Sequence, residues 1–202
     1  MVKDREDSVK PDRRIKAVDR LLGAAQHILA ESGLEALNSN AIVERAGLTP
    51  PTFYHYFPNK HALLRELGLR LMDAQTEAIR ADTGMTIRTA GEMRSAALTS
   101  IRQSLDSAIA FRGAYPLLVA LRAVPELQSI RLESHERITR LLADYFAEQG
   151  LVTDYDDVLI RVRLSLEISY AAVEMLFETG FRNREAILEY TADAVTRIYD
   201  FF

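Results

Sequence analysis

Cysteine is absent from the 202 residues, so the chain can form neither a disulfide framework nor a thiolate metal site. That absence fits a reducing compartment. Long apolar runs are missing as well. The longest, about Ala114 to Leu121, is closed by Arg112–Gly113 and Arg122 and falls far short of the roughly 20 residues that span a bilayer. Met1 to Lys10 is charged and has no apolar core of a signal peptide, so a cytoplasmic location without a membrane partner is expected. Strand signals are nearly lacking: no clean run of β-branched residues alternates, and glycine and proline fall between helical stretches. Lysine is scarce, and all four lie at or before Lys60.

Apolar residues make up 48% of the chain, enough to bury a core of one or two domains. The net charge of −4 argues at first against a nucleic-acid partner, but it is unevenly spread. Residues 1–60 balance to +1 and residues 61–202 to −5. A near-neutral front with local basic groups can bind DNA, because local phosphate contacts outweigh the total; the acidic remainder is not a DNA surface.

The periodicity predicts an all-α chain of about nine helices. The first covers roughly Asp12 to Ser32, with Ile15, Val18, Leu22, Ala25 and Leu29 at helical spacing and Gly33 at its end. Short helices follow at about Ser39 to Ala46, with Asn38 as N-cap, and Pro50 to Tyr56, with Thr49 as cap. The fourth starts near Asn59, carries Leu63, Leu64, Leu67 and Leu71 on one side, and fades near Thr83–Gly84. Longer helices are expected at about 88–112, 115–122, 125–148, 154–179 and 183–201, punctuated by Gly113, Pro116, Pro125, Gly150 and Gly180. No repeat or low-complexity linker appears. The expected division is 1–57, a helix-turn-helix domain of three helices, and 58–202, a larger helical ligand-sensing and dimerisation domain.

Residues 36–57, ALNSNAIVERAGLTPPTFYHYF, carry the function. Two short helices flank a tight turn at Ala46–Gly47–Leu48; Ile42, Val43 and Ala46 make one apolar face, Phe53 and Phe57 the other. This is a helix-turn-helix, whose second helix enters the major groove with its N-terminal residues at the bases. Proline suits the first helical position, but two in a row remove two donors. A phosphate there would lean on the Thr52 N–H and the Thr49 and Thr52 hydroxyls, and Pro50 and Pro51 would offer an apolar edge to thymine methyls. Lys60 stands in the first turn of the fourth helix, where the macrodipole disfavours a cation by a few tenths of a kcal/mol. A phosphate partner explains it; plain solvation is the alternative.

The stretch from Gly33 through Leu64 resembles the DNA-binding domain of the TetR family of regulators. The resemblance rests on Ala46–Gly47, Thr49, Phe53–Tyr54–His55–Tyr56–Phe57, Asn59–Lys60 and Leu63–Leu64. It implies that Asn38, Ser39 and Thr49 contact phosphates, that Tyr54, Tyr56 and Lys60 hold the backbone on the other flank, and that Asn40, Pro50, Pro51, Thr52 and His55 face base edges. Arg13 and Arg14 would reach phosphate or the minor groove. Asn38 and Pro51 depart from the family's usual residues, which leaves the operator unspecified. Tyr56 is open to a half-core role, His55 to being a plain exposed histidine, and Arg13 and Arg14 to lying in a tail.

The rear carries two further expectations. The resemblance implies a homodimer through the last two helices, pairing recognition helices about 34 Å apart on DNA. Their stripes are Val158, Val162, Ser165/Leu166, Ser169, Ala172/Val173 and Leu176, then Ile187, Tyr190, Thr191, Ala194, Ile198 and Phe202; a core role within one subunit is the alternative. It also implies a small-molecule effector, with Phe111, Tyr115, Leu118, Arg122, His135, Ile138, Glu167, Tyr170 and Glu174 as candidate contacts. Arg163, Glu167, Tyr170 and Glu174 share one helical face, which also reads as a solvated, ion-paired surface. The expected function is a repressor that binds a palindromic double-stranded DNA operator as a homodimer and is released by its ligand. An interaction module without DNA binding, or an all-α enzyme, is the rival. No cofactor fingerprint, P-loop or H-E-x-x-H occurs, and none of His27, His55, His61 and His135 ends a Glu-x-x-His pair, so no metal or cofactor is expected.

Overall fold

The computed structural model describes residues 10–80 and 86–201, and side chains from Arg14 onward. The side chain of Arg13, the end of the fourth helix at Thr83–Gly84, and Phe202 lie outside the described residues. Nine helices are present among them: α1 Lys10–Ser32, α2 Ser39–Ala46, α3 Pro50–Tyr56, α4 Lys60–Arg80, α5 Ala90–Ala110, α6 Ala114–Ala123, α7 Pro125–Glu148, α8 Tyr155–Glu178 and α9 Arg184–Tyr199.

The helix ends have local causes. Asn38 caps α2, its Oδ1 accepting from the Ala41 N–H at 3.0 Å, and Asn59 starts α4 the same way through the Ala62 N–H at 2.9 Å. Thr89 caps α5 through the Glu92 N–H, so this helix begins two residues later than the spacing suggests. Phe111 and Gly113 (φ 76°) stop it two residues early at the other end. Asp154, expected inside α8, is its N-cap and accepts from the Asp156 and Asp157 N–H groups.

Helices α1, α2 and α3 pack around Leu21, Leu22, Leu29, Leu37, Ile42, Phe53, Leu63 and Leu64, each at most 2% exposed. Helix α4 belongs to both halves. Its first turns complete this front core, while Leu67, Leu71, Met72 and Ile79 belong to the contiguous buried core that extends into the rear helices. Helix α4 lies against α5, α6 and α7, and α7, α8 and α9 pack in sequence, with α9 returning onto α5. Ion pairs fasten α5 to α9: Arg94 to Glu189 and Asp193, Arg102 to Glu185, and Arg184 to Asp106. They are partly exposed, so each adds little stability.

The front also touches the rear directly at Gly113. A β-carbon there would stand 2.9 Å from Leu29 Cβ and 3.0 Å from the Gln26 carbonyl oxygen of α1. Only glycine combines that approach with its left-handed backbone.

Candidate nucleic-acid interface

The turn between α2 and α3 is fixed from two sides. Gly47 adopts a left-handed conformation (φ 60°), which lets its N–H and that of Leu48 return to the Glu44 and Val43 carbonyls. From α1, the Arg20 guanidinium donates to the Ala46 carbonyl and, at 3.1 Å, to that of Gly47. Arg20 went unnoticed in the sequence because nothing in a lone helical arginine signals a backbone clasp 27 residues away. Arg45 pairs with Glu31 and holds that carboxyl below the usual range.

Behind α3, Phe53 is fully buried and Phe57 nearly so. That orientation turns Thr49, Pro50, Pro51, Tyr54 and His55 to the surface, with Tyr54 56% exposed. Asn38 and Asn40 are exposed on the α2 side; Ser39, Thr52, Tyr56 and Lys60 are half-buried. Several of these residues meet. The Ser39 and Tyr54 hydroxyls are 3.1 Å apart, and the Tyr56 ring stands edge-on to His55 with centroids 4.7 Å apart.

Two expectations change here. Thr49 occupies the cap position of α3 but makes no side-chain cap bond; its hydroxyl faces that of Thr52 at 3.0 Å. The Thr52 N–H is not free for a phosphate, because it donates to the Thr49 carbonyl at 2.9 Å. With Pro50 and Pro51 lacking donors, the start of α3 offers hydroxyls and apolar surface but no spare amide. Lys60 is neither simply solvated nor wholly free: its Nζ donates to the Leu37 carbonyl at 3.4 Å, which ties α4 to the loop before α2 and leaves two donors.

The nine rear candidates fall into different surroundings. Leu118 is core, Phe111 is half-buried, and Tyr115 stacks on Phe177 and donates to Glu178 at 3.3 Å. Arg122, His135, Glu167, Tyr170 and Glu174 form one network across α6, α7 and α8. Arg122 Nε meets Glu174 at 2.9 Å, and Glu167 takes Arg131, Arg163 and His135 Nδ1 within 3.2 Å. His135 is fully buried, stacks on Tyr170, and burial pushes it down to about 4. Tyr170 reaches the buried Gln75 of α4, its hydroxyl donating to Oε1 at 3.1 Å. Gln75 and Arg131 had no sequence signal as partners. Ile138 is buried core.

A cavity of about 80 Å³ opens elsewhere, among α4, α5, α7, α8 and α9. None of the named rear candidates lines it. Its walls include Met93, Ile101, Ser165, Leu166, Ser169 and Tyr199. The α8 stripe expected at a dimer surface is corrected as well. Val158, Val162, Leu166, Val173 and Leu176 are buried inside the subunit, because that face of α8 packs on α7 and α9. Apolar residues that remain exposed lie on another face: Ile160 (68%), Leu164 (49%) and Met175 (42%) on α8, with Tyr190 (75%) on α9. No helix of the described residues is long and apolar enough to cross a membrane.

The family model for bacterial regulatory proteins of the tetR family matches residues 21–67, the segment that runs from α1 through the turn into α4. An HTH-type transcriptional regulator of Mycobacterium tuberculosis is 32% identical over 139 residues, covering 66% of this chain; the match spans 63% of that relative's length. A TetR-family transcriptional regulator of Rhodococcus sp. has the same fold, with a TM-score of 0.70 at 14% identity over 92% of this chain and 100% of that one. The fatty acid degradation regulator FadR of Bacillus halodurans aligns at 0.69 and 17% identity over 98% of this chain and 96% of that one. Segment, relative and fold agree: residues 21–67 carry the segment that defines the tetR family of bacterial regulatory proteins, on a chain with the fold of solved TetR-family regulators.

Proposed function

We propose that the protein is a transcriptional repressor that binds a palindromic DNA operator as a homodimer and is released by a small molecule. Residues 1–57 read DNA, and residues 58–202 sense the ligand and dimerise. The observation that carries this is α3. Its aromatic anchors face inward while Thr49, Pro50, Pro51, Tyr54 and His55 form one exposed polar and apolar edge beside Asn38 and Asn40. That is the geometry of a helix presented to a major groove. Phosphate contacts come from the Ser39, Thr49, Thr52, Tyr54 and Tyr56 hydroxyls and from Lys60. Base contacts come from Asn40, Pro50, Pro51, Thr52 and His55.

Pairing through α8 and α9 is supported by the exposed apolar face at Ile160, Leu164, Met175 and Tyr190, which water would otherwise cover. Coupling is supported by α4, whose first residue holds the Leu37 carbonyl and whose Ile79 lines the rear cavity. A ligand that favours one placement of α4 shifts the population of DNA-competent dimers.

Selection of genomic fragments by the purified protein, followed by fluorescence anisotropy on the recovered sequence, tests the DNA reading. A salt-sensitive, sequence-specific complex with two half-sites is expected; absence of any sequence preference refutes it. Sedimentation of Leu164→Glu tests the interface: a dimer that persists at micromolar concentration refutes the α8–α9 assignment.

A further inference from the structure

The cavity behind α8 is selective in its chemistry. Among the described residues that line it, none carries a formal charge. Its walls are Met93, Ile101, Leu166 and Val195, and half-buried Ser100 and Leu142 stand at its rim. At the wall, Ser165 is 3% exposed and its Oγ lies near the Tyr199 hydroxyl but makes no hydrogen bond of good geometry. The neighbouring Ser169 is already committed, donating to the Ser165 carbonyl at 2.8 Å. A buried hydroxyl without a partner is a standing cost that a ligand's oxygen removes. A formal charge in the same place meets no counter-charge and loses its hydration. Burial pushes the Tyr199 phenol at the cavity wall up to about 12, and the Ser165 hydroxyl beside it opposes that rise. The charged groups nearest in kind, those of Glu167, Arg131, Arg163 and His135, are engaged with one another and do not line the cavity.

We propose that this cavity takes an uncharged, predominantly apolar small molecule with one carbonyl or hydroxyl oxygen that meets the Ser165 hydroxyl, and that it rejects the anionic and cationic forms of the same skeleton. An apolar cavity of roughly 150 Å³ admits a benzene ring. At about 80 Å³ this one takes a short alkyl chain, and Met93, unbranched and adaptable, widens it for a larger one. The assignment rests on the reading that the rear helices hold an effector, and it names that effector's chemistry.

The test is a matched series on the full chain at neutral pH: 1-hexanol, hexanoate, hexylammonium and hexane, with binding read by calorimetry. 1-Hexanol is expected to bind saturably and at least tenfold more tightly than either ion. Ser165→Ala should weaken 1-hexanol about fivefold or more and leave hexane unchanged. Ala97→Leu, which fills the wall, should abolish both while circular dichroism stays native. Equal binding of hexanoate or hexylammonium overturns the class of ligand, and so does the absence of binding by all four. An unaltered 1-hexanol affinity in Ser165→Ala overturns the role of that hydroxyl. An anisotropy titration of the DNA complex with 1-hexanol separates the two levels. Binding without release of DNA keeps the cavity chemistry and refutes the effector reading.

Discussion

Replacing Gly113 with alanine perturbs the one place where a β-carbon would press the start of α6 into α1. Two effects add. The left-handed backbone (φ 76°) costs a β-carbon-bearing residue about 1–2 kcal/mol. The new carbon would also lie 2.9 Å from Leu29 Cβ and 3.0 Å from the Gln26 carbonyl. Both neighbours belong to the α1 framework and cannot rotate away, so relief requires the helices to separate, at the roughly 1–3 kcal/mol typical of overpacking. The expected loss is therefore about 2–5 kcal/mol. Gly150→Ala is the control. Its φ is 72°, but nothing lies within 4 Å of the added carbon, so only the conformational cost of about 1–2 kcal/mol applies. Urea unfolding at one fixed protein concentration measures both. If the two variants lose the same stability to within about 0.5 kcal/mol, the contact between front and rear helices at Gly113 has no energetic weight and the reasoning fails.

Three further outcomes are expected. Lys60→Met removes two cations per dimer from the proposed DNA interface, so the slope of log affinity against log salt should become shallower by about 2; an unchanged slope removes Lys60 from the phosphate contacts. Tyr54→Phe deletes an exposed hydroxyl bonded to Ser39, so it should change stability by no more than about 0.5 kcal/mol while weakening operator binding about five- to tenfold; intact affinity by anisotropy refutes the phosphate role. His135 has its folded pKa lowered to about 4 by burial, so between that value and the unfolded value near 6.5 the unfolded state binds more protons. Its contribution is complete above about pH 6.5 and is lost as pH falls toward 4, by at most about 1.4 kcal/mol per pH unit; denaturation curves of His135→Phe, which keeps a ring on Tyr170, should lack that slope.

The helices were legible because their punctuation is chemical. Asn38, Gly113 and Gly180 mark ends through a cap and left-handed turns, and the observed bounds of α2, α3 and α7 match the expected ones, whereas the Thr89 and Asp154 caps went unread. The exposed edge of α3 was legible from Phe53 and Phe57, since the buried stripe of a short amphipathic helix determines its opposite face. Two things were not. Helix α8 is apolar on more than one side, and periodicity cannot say which side meets the subunit's own core; Val162 and Leu166 turned inward, Ile160 and Leu164 outward. The cavity was hidden because its markers, Ser165 and Ser169, are small residues that look like any close-packing stripe, whereas the conspicuous Glu167 and Glu174 serve ion pairs.

Among the described residues, three cations of the front helices are engaged within the fold: Arg20 on the turn, Arg45 on Glu31 and one Lys60 donor on Leu37. For a repressor this bears on the genome as a competitor. Non-specific binding draws almost wholly on free positive charge, and a bacterial chromosome offers millions of decoy sites. Cations already committed to the fold, beside an acidic body of balance −5 over residues 61–202, add little to the hold of those decoys. Under the proposed function, few copies would then be needed to occupy one operator, and a dimer loosened by ligand would have little reason to linger on neighbouring DNA.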